Sequence, residues 1–86
     1  MIHTVKFSGM TKIKRQDGTG GWTGVKDVDV YPYTDGKGVV IWIWPESGQR
    51  TKPICMDFVG PHGLADLTRL VQFIQAMLPQ KETTNG

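Results

Sequence analysis

Val39-Val40-Ile41-Trp42-Ile43-Trp44 is apolar at every position. Read as a strand, it puts Val39, Ile41 and Ile43 on one side and Val40, Trp42 and Trp44 on the other, because successive side chains of a strand point to opposite faces. A small protein built on a single sheet covers at most one face well. The chain offers one amphipathic helix as that cover, so the tryptophan side is expected to serve as a binding surface or a subunit interface.

Working outward, the stretch Thr34-Asp35-Gly36-Lys37-Gly38 reads as a hairpin connection, since Asp-Gly readily supplies the positive φ angles of tight turns. It joins the apolar strand to an earlier one, Val25 to Tyr33, with Val28 and Val30 on one face and Asp27, Asp29, Tyr31 and Tyr33 on the other. Pro32 weakens that strand near its end. On the other side, Pro45 to Arg50 reads as a turn and Thr51 to Val59 as a further strand carrying Ile54, Met56 and Phe58 on one side. Ile2 to Phe7 reads as the first strand. It is expected to continue through Met10 to Arg15, with Gly9 marking a bulge and Gln16 to Gly21 forming a glycine-rich turn.

After Gly60-Pro61-His62-Gly63 the period changes from two to about 3.6. Leu64, Leu67, Leu70, Val71, Ile74, Met77 and Leu78 fall on one stripe, with Asp66, Arg69 and Gln72 opposite. Asp66 is expected in the first turn, at the positive end of the helix dipole. Pro79 stops the helix, and residues 80–86 read as a flexible polar tail. The expected fold is therefore α+β: a four-stranded antiparallel meander with one C-terminal helix packed on one face, as one domain over residues 1–79.

Composition narrows the functional classes. The chain has 86 residues, 38% hydrophobic and 21% charged, which is ordinary globular material. A chain this short buries only about 60–65% of its unfolded surface. No run approaches the roughly 18–20 apolar residues of a membrane helix, and the N-terminus lacks a signal-peptide core, so the expectation is a cytoplasmic protein without membrane contact. Cys55 is the single cysteine. It excludes an internal disulfide or a multi-cysteine zinc site and is expected as a small core or sheet residue.

The net charge of +2 is too small for bulk electrostatics to argue nucleic-acid binding. Its distribution matters more, with Lys6, Lys12, Lys14 and Arg15 near the N-terminus and Arg50 and Lys52 around a later turn, candidates to converge on one edge. The glycine run from Gly18 to Gly24 has Thr23 where a dinucleotide fingerprint needs its third glycine, and no Gly-Lys-Ser/Thr follows it. His3 and His62 have no partners placed beside them by sequence. Asp27 and Asp29, about 7 Å apart on one strand face, read as solvent-facing charges. No catalytic, metal or cofactor site is expected, and an enzyme is not.

The aromatic set is what remains. Tyr31, Tyr33, Trp42 and Trp44 share the face expected to be left open, with Trp22 near its rim. Even half exposed, four such rings offer about 300–500 Å², comparable with the largest apolar patch of a typical monomer. Competing uses are a homodimer interface, a protein interface anchored on the rings, and a stacking platform for single-stranded DNA or RNA, with Lys12, Lys14, Arg15, Arg50 and Lys52 tracking phosphates. The alternative to all three is that the N-terminal segment or the loop near Trp22 folds over the rings. From Val25 to Leu78 the order of elements is similar to the layout of the transcriptional positive cofactor family of single-strand DNA binders. That similarity lies in order alone, carries no residue over, and implies the nucleic-acid use. The acidic pair on the ring face favours protein instead. The reading from sequence is a non-enzymatic module acting through a macromolecular interface, as a dimer, of the kind that serves as inhibitor or adaptor, phage and mobile-element proteins included.

Overall fold

The computed structural model describes residues 2–15, 18–46 and 52–79. Its elements are β1 (His3–Lys6), β2 (Lys12–Lys14), β3 (Trp22–Pro32), β4 (Gly38–Pro45), β5 (Ile54–Val59) and the helix α1 (Gly60–Met77). They form an open antiparallel sheet in the order β1-β3-β4-β5, with β2 also pairing β3, followed by one C-terminal helix. The α+β class and the antiparallel meander of β3, β4 and β5 stand as the sequence implied. The expected tail and Arg50 lie outside the described residues.

Register sorts the side chains into two faces, because residues directly opposite each other in an antiparallel pair project to the same side. Val28 pairs Ile43 and Val30 pairs Ile41, while Val39 pairs Phe58 and Ile41 pairs Met56, so one face is apolar. Asp27 pairs Trp44, Asp29 pairs Trp42 and Tyr31 pairs Val40. Thr4 lies opposite Asp29 and Lys6 opposite Asp27, so the second face mixes rings with charged and hydroxyl groups.

Three boundaries differ from expectation. The N-terminal strand is interrupted by more than a one-residue bulge: Lys6 pairs Asp27 and Lys12 pairs Gly24, so the five residues Phe7 to Thr11 span two residues of β3. The excursion is held at both ends, by the Phe7 N–H donating to the Lys26 carbonyl at 3.0 Å and the Val25 N–H donating to the Thr11 carbonyl at 2.8 Å. Second, β3 begins at Trp22 rather than Val25, because β2 supplies a partner for Trp22, Thr23 and Gly24. Third, the helix starts at Gly60 and absorbs the expected break. Proline is well suited to the first turn, where its missing N–H is not needed, and Pro61 sits there. Asp66 accordingly falls in the second turn, and the first turn holds no acidic residue.

The helix meets the sheet at β5 and β4. Its approach is close at Gly63, where a Cβ would lie 2.6 Å from the Phe58 backbone carbon; only glycine allows it. Leu64 and Leu67 are half-buried, yet every residue from Thr68 to Pro79 is exposed, and no residue of α1 is buried. Among the described residues, Val25, 1% exposed, is the only buried hydrophobic side chain. It sits where β2, β3 and the end of β4 converge, opposite Pro45.

Candidate functional site: the aromatic face of the sheet

Asp29 organises the centre of the aromatic face. Its Oδ1 accepts a hydrogen bond from the Thr4 hydroxyl at 2.6 Å, and its Oδ2 accepts one from the Trp44 indole N–H at 3.1 Å. One carboxylate on the central strand thus joins β1 to β4 and fixes the orientation of Trp44. Asp29 is thus not the solvent-facing charge that its sequence context implies. The diagonal reach from a strand position to the neighbour two residues along, here Asp29 to Trp44, was the signal available for it.

The rings follow from that anchor. Trp42 and Trp44 are stacked with centroids 6.4 Å apart, and Tyr31 tilts against Trp42 at 6.2 Å, distances at which aromatic pairs attract. The three rings form a diagonal row. Trp42 remains 36% exposed while Tyr31 and Trp44 are half-buried, so no segment of the described chain seals them. Tyr33 lies beyond the end of β3, where its N–H donates to the Gly38 carbonyl at 3.0 Å and its phenol donates to Asp57 Oδ1 at 2.5 Å. Asp57 pairs Val40, which places Tyr33 at the β5 side of the same face. The hydrogen bond to Asp57 holds the Tyr33 phenol above its ordinary range, with smaller contributions from desolvation and from the charges of Asp57 and Asp35.

Trp22 reaches this face through a bulge. The register shifts between Val25 and Asp27, so two residues of β3 oppose Pro45. Trp22 and Gly24 thereby remain on the side of Asp27. The Glu46 N–H donates to the Gly24 carbonyl at 2.9 Å, and a Cβ on Gly24 would come within 2.6 Å of the Glu46 carboxylate. Lys14, opposite Trp22, holds its ammonium 5.5 Å from the Trp22 ring centroid, a cation–π distance. Lys12, beside Gly24, completes the basic rim, and Lys6 pairs with Asp27 at 3.6 Å.

Among the described residues, the basic candidates fall on two sides of the sheet. Lys6, Lys12, Lys14 and Arg15 belong to the β1–β2 side of the sheet, whereas Lys52 leads into β5 on the far side, with β3 and β4 between them. The cause is topological, since β5 pairs with β4 and not with β3. Cys55 is a sheet residue but an exposed one, opposite Trp42 on the aromatic face; with the core confined to the Val25 region, no interior is available to it. Carboxylates are as prominent here as cations, with Asp27, Asp29, Asp57 and Glu46 all on or bordering the ring row. His3 and His62 are both exposed, and the described residues contain no group of three His, Cys, Asp or Glu side chains placed to hold a metal ion. No helix among them is long and apolar enough to cross a membrane. Comparison with protein-family models, with curated proteins and with solved structures finds no match to this chain.

Proposed function

We propose that this protein is a non-enzymatic binding module whose aromatic sheet face engages a polypeptide partner, in the manner of an inhibitor or adaptor. The observation that carries this reading is the row Tyr31-Trp42-Trp44, accessible to solvent and interleaved with Asp27, Asp29 and Asp57. Tryptophan and tyrosine are the side chains most enriched at interface hot spots. The carboxylates among them repel a phosphate backbone and favour lysine or arginine, whose charged heads also bind over ring faces. Preorganisation supports the same reading: Trp44 is tied to Asp29 and Tyr33 to Asp57, so the surface loses little side-chain freedom when it binds.

Selection of a displayed random-peptide library on the immobilised protein tests it. The expected peptides carry aromatic and Lys or Arg residues, bind in the micromolar range or tighter, and lose at least tenfold in affinity to the Trp42→Ala variant. Peptides whose binding is unchanged by Trp42→Ala would overturn the assignment of the face. Retention of a fluorescent oligothymidylate at low salt, lost on Trp42→Ala and falling steeply with added salt, would replace the polypeptide partner with single-stranded nucleic acid.

A further inference from the structure

The helix carries a second surface that the aromatic face does not explain. Leu67, Leu70, Ile74 and Met77 recur at alternating spacings of three and four, with Val71 and Leu78 alongside, the pattern by which one helix seats against another. Leu67 is partly sheltered by the sheet. Beyond it the helix is not covered by the sheet: α1 is 18 residues long, about 27 Å, it packs chiefly against β5 and β4, and every residue from Thr68 to Pro79 is exposed. Ile74 is left 46% exposed, Met77 68% and the flanking Phe73 67%.

We infer that this stripe is the interface of a homodimer in which α1 of one protomer packs against α1 of its partner about a two-fold axis. Three observations select a second copy. The fold buries one hydrophobic side chain among its described residues, Val25, so the cover over the helix must be present whenever the fold is, and a copy of the same chain is the partner whose supply always matches. The stripe is uncharged, and the nearby charged pair Asp66 and Arg69 is closed on itself by an ion pair, so two identical surfaces meet without like-charge repulsion. The area is also substantial. Leu70, Val71, Phe73, Ile74, Met77 and Leu78 are all exposed and together present on the order of 500 Å², more than half of the roughly 800 Å² per partner of a stable interface. A two-fold contact of this kind is self-complementary and closes at two copies. It also leaves the ring face free.

Sedimentation equilibrium of the full chain, of Ile74→Asp and of Trp42→Ala tests the inference. Wild type and Trp42→Ala are expected at twice the 9.6 kDa chain mass, and Ile74→Asp at the monomer mass. A monomeric wild type at about 100 μM, ten times a weak dimer's dissociation constant of about 10 μM, or an Ile74→Asp variant that keeps the doubled mass, would overturn it. Should Ile74→Asp fail to fold, thermal unfolding of the wild type decides: the Tm is expected to rise by about 4 °C per tenfold increase in concentration, and a Tm independent of concentration refutes the dimer. Loss of peptide binding by Trp42→Ala with the doubled mass intact separates this surface from the aromatic one.

Discussion

Asp29 shows how much of the aromatic face rests on single polar contacts. Its two oxygens take hydrogen bonds from Thr4 and Trp44, so removing it leaves a half-buried indole N–H without its acceptor, a loss of about 1–3 kcal/mol. Asp29→Ala is therefore expected to lower the urea midpoint and to free Trp44 from its fixed orientation, seen as a change in near-UV circular dichroism; an unaltered near-UV spectrum would deny Asp29 this role. Tyr33 gives a second test at this scale. A phenol whose pKa is raised in the folded state binds its proton more tightly there than when unfolded, so its stabilising contribution is present below the ordinary tyrosine value near 10 and is lost as pH rises through the higher folded value. Tyrosinate absorbance should show a step above the ordinary tyrosine range, and Tyr33→Phe should remove that late step. If the late step survives in Tyr33→Phe, the Asp57 contact is not its cause. Little of this was legible in the sequence, because a hydrogen bond between Asp29 and Trp44, fifteen residues apart, depends on register and not on local pattern.

At the scale of elements, the β3–β4–β5 meander could be read directly, since alternation along Val25–Tyr33, the Asp35-Gly36 turn and the two-faced apolar run each specify local structure without help from distant residues. The ring face was legible for the same reason: once β3 and β4 are antiparallel, strand parity alone puts Tyr31, Trp42 and Trp44 together. Element ends were not legible, because they depend on partners. β3 gained Trp22 to Gly24 through pairing with β2, and the helix took in Gly60 to Gly63 because Gly63 allows the close approach to Phe58 that seats the first turn against β5. Gly63→Ala isolates that approach. Alanine is the better helix former by about 1 kcal/mol, so an ordinary exposed site would be stabilised; here the clash with the Phe58 backbone should dominate and lower the Tm by several degrees. A raised Tm would mean that the contact between α1 and β5 is looser than described.

For the molecule as a whole, the sequence premise was that one helix shelters one face of the sheet and leaves the other available. The structure goes further, since α1 leaves its own stripe from Thr68 onward uncovered as well, and buried hydrophobic volume among the described residues reduces to Val25. Amphipathic periodicity shows which side of a helix wants cover but not whether the cover comes from the same chain, which is why this could not be read in advance. The two surfaces have different chemistry, one apolar and uncharged, the other aromatic and laced with carboxylates, and this division is the ground for proposing assembly through the first and recognition through the second. It follows that a charge placed on the stripe should change the mass of the particle, while a ring removed from the sheet should change only what it binds.

The central claim is that the tryptophan row stands open to solvent at rest. Acrylamide quenching of a variant in which Trp22→Phe and Trp44→Phe leave Trp42 as the sole reporter measures this most directly. Emission near that of solvent-exposed indole, quenched steeply by acrylamide and protected when a selected peptide is added, is the predicted result. Blue-shifted emission that acrylamide hardly quenches in the free protein would contradict it.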